Sequence, residues 1–127
     1  MQTTKTILLV EDDAQLRNLV KKSLEGSGYS VVAAEDSTVA NAQARMRGGI
    51  IDLILADINL PGLTGGEYAD FLKTINPNLR ILYMSGAPVQ DPDVLKHLRR
   101  DQAFFIAKPF SMEALDKAVK LALGLAL

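Results

Sequence analysis

Asp52-Leu53-Ile54-Leu55-Ala56-Asp57-Ile58-Asn59-Leu60-Pro61-Gly62 is the stretch of this chain that decides its fold. Its apolar run has the length and composition of a strand buried on both faces of a parallel sheet. Pro61-Gly62 is a turn signal, so Asp57 lies where the strand meets a loop. Ligands bind at that edge of open α/β sheets, and an aspartate there can act as a nucleophile, a metal ligand or both.

The same alternation continues on both sides of this stretch. We predict strands at 7–10, 30–34, 52–56, 79–84 and 103–107, each followed by apolar residues at helical spacing. Five alternating units predict a (βα)5 domain of the α/β class, with a parallel sheet and helices on both faces. Right-handed crossovers favour the strand order 2-1-3-4-5.

Helix starts and apolar stripes follow from local patterns. Asp13, Ser37 and Ser111 are predicted N-caps of the first, second and last helices. In the second helix, Val39 and Met46 are predicted to face the core. The apolar residues that mark the other helices are Leu16, Leu19, Val20, Leu24, Tyr68, Phe71, Leu72, Ile75, Val94, Leu95, Leu98, Met112, Leu115, Val119 and Ala122.

The bulk composition narrows the class of protein. The chain has 127 residues, 48% of them hydrophobic, which fits one globular domain over 1–127 with no effector domain. The absence of cysteine excludes zinc–thiolate sites, iron–sulfur clusters and thiol catalysis. A net charge of −1 gives no basic field for direct nucleic-acid binding. No apolar run is long enough to cross a membrane, so we expect a cytoplasmic protein.

Acidic residues are predicted to meet at one edge of the sheet. Glu11, Asp12 and Asp13 follow the first strand, and Asp57 ends the third, which is its neighbour in the predicted order. Carboxylates in one crevice repel each other unless they protonate, pair with cations or bind a metal. Oxygen ligands of this kind suit Mg²⁺ or Mn²⁺.

Two further side chains complete this predicted site. Ser85 follows the fourth strand and brings a hydroxyl, and Lys108 follows the fifth and brings an ammonium group. A metal, an ammonium and a hydroxyl around one aspartate match the anionic oxygens of a phosphoryl group. The chemistry predicted is attack by Asp57 on a phosphodonor, which gives an aspartyl phosphate.

Four motifs carry a family resemblance over essentially the whole chain. They are Val10-Glu11-Asp12-Asp13, the run from Asp57 to Gly62, Met84-Ser85-Gly86 and Lys108-Pro109-Phe110. Together they resemble the receiver domain of two-component response regulators, in the flavodoxin-like arrangement of the chemotaxis receiver. The resemblance implies a phosphorylation-dependent switch in a His-to-Asp phosphorelay rather than an enzyme that turns over a separate substrate.

The resemblance also implies residue roles. Asp57 accepts the phosphoryl group from a histidine kinase or a histidine phosphotransfer protein. Glu11 and Asp12 form the acidic pair, and Asn59 gives its backbone carbonyl to the metal. Ser85 and Lys108 contact the phosphoryl group, and Phe105 rotates inward as Ser85 moves. Pro109 follows a cis peptide bond.

Partner surfaces and alternatives follow from the same comparison. The resemblance places the downstream partner on the face of the fourth helix, fifth strand and fifth helix, over 94–100, Phe105 and 114–127. Residues 121–127 are apolar on more than one side, which fits a homodimer or partner contact as well as a packed helix end.

The alternatives to a receiver domain are a Mg²⁺-dependent phosphatase with an aspartyl-phosphate intermediate, or a flavodoxin-like cofactor binder. A stand-alone receiver, a relay and a part of a larger protein all remain open.

Overall fold

The computed structural model describes residues 4–58, 72–87 and 90–125. It contains one parallel sheet in the order β2-β1-β3-β4-β5, as predicted. The strands are β1 (Thr6–Val10), β2 (Ser30–Ala34), β3 (Leu53–Asp57), β4 (Arg80–Ser85) and β5 (Phe104–Ala107). Each strand end lies within one residue of its predicted position.

Helices cover both faces of this sheet. They are α1 (Ala14–Gly26), α2 (Ser37–Met46), α3 (Pro92–Asp101) and α4 (Met112–Leu123). The last two are the fourth and fifth helices of the sequence prediction. Residues 72–75 are also helical, but most of the predicted third helix, with Tyr68 and Phe71, lies outside the described residues. Among the helices described here, none has the length and apolarity to cross a membrane.

The core is divided between the two faces of the sheet. Leu8 and Val10 of β1 belong to a cluster that includes Ala40 and Ala44 of α2. Ile7 and Leu9 point the other way, into a cluster with residues of α1 and α4. The predicted inward residues of α4 are confirmed, with Leu115, Val119 and Ala122 buried and Met112 partly buried. Leu16, Val20 and Leu24 pack into the same cluster, while Leu19 is 53% exposed.

Two of the three predicted helix caps are confirmed. Asp13 Oδ1 accepts hydrogen bonds from the backbone N–H groups of Gln15 and Leu16, and Ser111 Oγ accepts one from Ala114. The prediction for Ser37 was wrong. Asp36 caps α2, because its backbone is extended and its Oδ1 accepts the Val39 N–H at 2.8 Å, which makes Ser37 the first helical residue.

Met46 and Ile75 do not face the core. Ala40 and Ala44 occupy the inward face of α2, and Met46 is 81% exposed. It comes two residues after Ala44, roughly 200° further round the helix. Ile75 is 45% exposed and its side chain lies over Gly49, although Leu72, one turn earlier, is fully buried.

On α3, Leu98 packs against the core cluster that contains Ala40 and Ala44, which we call the α2-side cluster. Leu95 is half-buried. The side chain of Val94, the other residue predicted to face inward there, lies outside the described set.

Candidate functional site

Strand register brings the predicted site residues to one edge of the sheet. Val10 is level with Ala56 across β1 and β3, and Asp57 is level with Met84 across β3 and β4. The Lys108 N–H donates to the Ser85 carbonyl at 2.7 Å, so the residue that follows β5 lies beside the last residue of β4. Glu11, Asp57, Ser85 and Lys108 therefore stand at the ends of four neighbouring strands.

Lys108 joins two of the carboxylates. Its Nζ lies 2.5 Å from Glu11 Oε1 and 2.8 Å from Asp57 Oδ2. The side chain of Glu11 is 1% exposed and that of Asp57 is 13% exposed. Hydrogen bonds between charged groups in such a sheltered place are short and strong. The ammonium therefore holds both carboxylates at a fixed position above the strand ends.

Burial and pairing perturb the titration of this group. Burial raises the pKa of the Glu11 carboxyl, and the hydrogen bond from Lys108 offsets only part of that rise. Burial by itself lowers the pKa of Lys108, but its hydrogen bonds to Asp57 and Glu11 outweigh that effect and hold the pKa above its usual value. Lys108 is thus charged at neutral pH, and a second cation would further favour ionised Glu11.

The acidic cluster fits a hard divalent cation. Carboxylate oxygens of Glu11, Asp12 and Asp57 all lie within 4.8 Å of one another. Asp12 is exposed, so part of the coordination shell stays open to water and to phosphate oxygens, which Mg²⁺ typically retains. Asp13 is held apart, since its carboxylate caps α1. Asn59, expected to offer a backbone carbonyl, lies outside the described residues.

Ser85 and Phe105 lie on the neighbouring strands β4 and β5. Ser85 is fully buried, and its Oγ accepts the Ala87 N–H at 3.0 Å, which leaves the hydroxyl proton available for donation. Phe105 is half-buried, is level with Tyr83 of β4, and packs against the α2-side cluster. The Lys108–Pro109 peptide bond is cis, as the resemblance implied.

Arg17 is a site neighbour that sequence reasoning missed. Its Nη1 donates to the backbone carbonyl of Glu11 at 2.8 Å, while Glu11 Oε2 accepts the Asp13 N–H at 3.2 Å. These bonds fix the loop that carries the acidic pair. The position of Arg17 in the sequence could have indicated this contact. It comes one helical turn after the Asp13 cap, where a long side chain can reach back over the loop.

The fold and the strand-end residues define a receiver-like α/β domain. Residues 7–120 match the response regulator receiver domain family, and the chain belongs to that family. Receiver domains are phosphorylation-controlled switches of two-component signalling, and they bind Mg²⁺ at a cluster of acidic residues. This membership favours the switch over the phosphatase and cofactor-binder alternatives.

Known relatives differ in length. The chain is 34% identical to the response regulator receiver protein CpdR of Brucella abortus, with 91% of the chain and 94% of CpdR aligned. It is also 34% identical to the response regulator protein FleR of Pseudomonas aeruginosa, over 93% of the chain but only 24% of FleR. The chemotaxis response regulator CheY4 of Vibrio cholerae superposes with a TM-score of 0.79 at 27% identity, covering 95% of this chain and all of CheY4.

Proposed function

We propose that this chain is a single receiver domain in which Asp57 accepts a phosphoryl group from phosphohistidine. An oxygen of Asp57 bonds to phosphorus as the phosphorus–nitrogen bond breaks, and the imidazole nitrogen keeps the bonding electron pair. The observation that carries the proposal is the placement of Lys108 Nζ 2.8 Å from Asp57 Oδ2, within an acidic cluster that also includes Glu11 and Asp12.

Each neighbour has a role in this proposal. Lys108 transfers its hydrogen bond from Asp57 to a phosphoryl oxygen, and the Ser85 hydroxyl donates to another. Glu11, Asp12, Asp57 and the Asn59 carbonyl hold Mg²⁺ or Mn²⁺. The bound metal neutralises charge that develops on the transferring group. The domain takes part in its own phosphorylation and dephosphorylation and turns over no separate substrate.

Beryllofluoride, a non-covalent phosphoryl mimic, tests this proposal without a kinase. With Mg²⁺ present, we expect bound-fluoride signals in the fluorine NMR spectrum and amide shifts at residues 11, 57, 85 and 108. Both changes should disappear when EDTA removes the metal, because the acidic cluster then repels the anion. Binding that survives EDTA, or no binding at all, would contradict the proposal.

Ser85 and Phe105 form the proposed switch. When Ser85 turns towards the phosphoryl group, Phe105 moves into the space beside it. In Ser85→Ala we expect beryllofluoride to bind with about tenfold lower affinity, the loss of one hydrogen bond to a charged group. The Phe105 ring resonances should then shift less on saturation than in the wild type. Equal ring shifts in both proteins would show that the hydroxyl does not drive the aromatic side chain.

The proposed phosphodonor docks beside Lys108. An apolar cavity of about 340 Å³ lies there, lined by Asp13, Leu16, Lys108, Pro109 and Phe110. A helix of a histidine kinase or a histidine phosphotransfer protein that seats an apolar side chain in this cavity brings its histidine close to Asp57. Apolar anchors in such cavities commonly dominate binding.

Phe110→Ala tests this docking surface. We expect phosphoryl transfer from a phosphorylated histidine phosphotransfer protein to fall at least about tenfold, because a central aromatic contact is lost. Labelling by acetyl phosphate should be unchanged, since a small donor needs no docking. Phe104→Ala, at the opposite end of β5 from this cavity, is the matched control. A parallel loss with both donors would indicate damage to the site itself.

The output surface is proposed on α3, β5 and α4. It presents Phe104, Leu121 and Leu125, which are 41%, 55% and 38% exposed. These side chains fit a downstream partner or a second receiver, and sedimentation with and without beryllofluoride separates the two. Cytoplasmic localisation belongs to the same proposal, because a cysteine-free switch fed by a kinase suits a reducing compartment.

A further inference from the structure

Three exposed apolar residues come from segments at the end of the domain opposite Asp57. Met46, Ile50 and Ile75 are 81%, 69% and 45% exposed, and we call them the basal patch. Ile75 lies directly over Gly49, where a Cβ would collide with its side chain. Gly49 has a φ of +75° and precedes Ile50, so the loop that connects α2 to β3 lies against Ile75, and Met46 is the last residue of α2.

The patch is separate from the surfaces described above. Ile50 and Ile51 come just before β3, at the edge where the strands begin, whereas Asp57 stands where β3 ends. The α3–β5–α4 face contains none of the three side chains. Neither the Asp57 site nor the proposed output surface therefore accounts for the exposed apolar side chains of the basal patch.

Two exposed basic residues, Arg47 and Lys73, come from the same two segments as Met46 and Ile75. Neither forms an ion pair with any residue that the structure describes. Cations that pair with no acid among the described residues, close in sequence to exposed apolar side chains, favour a ligand that is both acidic and apolar.

A polar cavity lies next to Ile75 of the patch. It has a volume of about 490 Å³ and is lined by Lys5, Asp52, Asn76, Asn78, Arg80 and Leu123. Asn76 follows Ile75 and donates from Nδ2 to the Ile51 carbonyl at 3.1 Å, so cavity and patch share a wall. Lys5 and Arg80 form no ion pair within the described part of the chain, and Asp52 Oδ2 accepts the Thr6 N–H.

Charge and size decide between possible occupants. A two-fold contact between copies through this patch would place Arg47 and Lys73 of both copies in one interface, and four exposed cations in one interface are unfavourable. Three apolar side chains also fall well short of the roughly 800 Å² a side that a stable protein interface buries. A short segment with carboxylates on both sides of an apolar anchor has groups that match the apolar patch, the exposed cations Arg47 and Lys73, and the polar cavity.

We propose that the basal patch binds an acidic segment of a partner protein, with one or two apolar anchors seated on Met46, Ile50 and Ile75. Carboxylates before the anchor pair with Arg47 and Lys73, and those after it enter the cavity towards Lys5 and Arg80. The interaction weakens as salt rises, because most of its charge pairs are exposed. It is independent of phosphorylation at Asp57.

A synthetic peptide supplies the test. Its length is about 15 residues, enough to span a short docking segment, with two leucines flanked by glutamates. Amide NMR shifts should be confined to residues 44–52 and 72–80 and to Lys5 and Leu123, which line the cavity. Met46→Ser with Ile50→Ser should weaken binding at least about tenfold, and Arg47→Glu with Lys73→Glu should also weaken it and reduce its loss of affinity on raising salt. Leu121→Ser with Lys117→Glu, changes at residues of α4 that are also more than half exposed, is the matched control.

Three outcomes would overturn the proposal. The first is equal binding of a peptide with lysine in place of glutamate, or amide shifts at residues that belong neither to the patch segments nor to the cavity. The second is concentration-dependent dimerisation lost in Met46→Ser with Ile50→Ser, which assigns the patch to a second copy. The third is binding to anionic phosphatidylglycerol vesicles in preference to the peptide. Each variant is also titrated with beryllofluoride, so that failure of the docking proposal is distinguished from failure of the Asp57 site.

Discussion

Replacing Asp57 with asparagine is expected to lower the rate of phosphorylation by acetyl phosphate at least about a thousandfold. The amide keeps the shape of the side chain but removes the anionic oxygen that attacks phosphorus. It also removes the acceptor that Lys108 Nζ contacts at 2.8 Å. Glu11 is unsuited to take over, since its carboxylate is 1% exposed and paired with the same ammonium. The initial rate of labelling, measured by mass spectrometry of the intact protein, checks this result.

Asp13→Asn is the matched control for this change. Asp13 is a neighbouring carboxylate, but it caps α1 and lies outside the metal-binding group. We expect its labelling rate to stay within about threefold of the wild type, because asparagine is an equally good N-cap. Loss of labelling in Asp13→Asn with retention in Asp57→Asn would reverse the assignment of the two residues.

Lys108→Met is expected to destabilise the protein by about 1–3 kcal/mol at neutral pH. Removal of one partner from a buried ion pair costs about 3–5 kcal/mol, and partial exposure of Lys108 and Asp57 reduces that cost. The variant should also be phosphorylated poorly, since no ammonium remains to pair with the phosphoryl group. Lys117→Met, which breaks an exposed pair with Glu113 in α4, should change stability by less than about 0.5 kcal/mol.

The pH dependence of the Lys108→Met defect has a definite sign. Loss of the ammonium raises the pKa of Glu11 further above its usual value, because the hydrogen bond that lowered it is gone. A raised carboxyl pKa in the folded state disfavours folding as pH rises through it, so the defect shrinks on acidification. The pKa of Lys108 is raised, so its own contribution is present at neutral pH and is lost as pH rises through that value. The free energy of unfolding in urea, measured across pH, checks both the acid-side effect of Glu11 and the alkaline-side effect of Lys108. A defect that grows on acidification would contradict this account.

The strand order and the grouping of the site residues could be predicted from the chain. Apolar runs such as 53–56 alternate with helical patterns, and a parallel sheet places every strand end on one edge. Once the order is known, Glu11, Asp57, Ser85 and Lys108 must be neighbours. The bridge from Lys108 to both carboxylates could not be predicted, because it depends on the path of a flexible side chain.

Other features depended on packing that local patterns do not contain. Asp36 and Ser37 are both good capping residues, and the chain path into α2 selects the aspartate. Met46 was predicted to face the core together with Val39, whereas the buried residues of α2 are Ala40 and Ala44. The basal patch arises where the loop after α2 meets Ile75, a contact between segments distant in sequence.

The most direct test of the central claim is to locate the phosphoryl group. The wild-type protein is incubated with acetyl phosphate and Mg²⁺, reduced with borohydride, which converts an aspartyl phosphate to homoserine, and mapped by peptide mass spectrometry. We predict homoserine at position 57 alone, and none when EDTA replaces Mg²⁺. Reduction at Asp12 or Asp13 with an intact Asp57, or a protein that takes no label, would contradict the assignment of Asp57 as the phosphoacceptor.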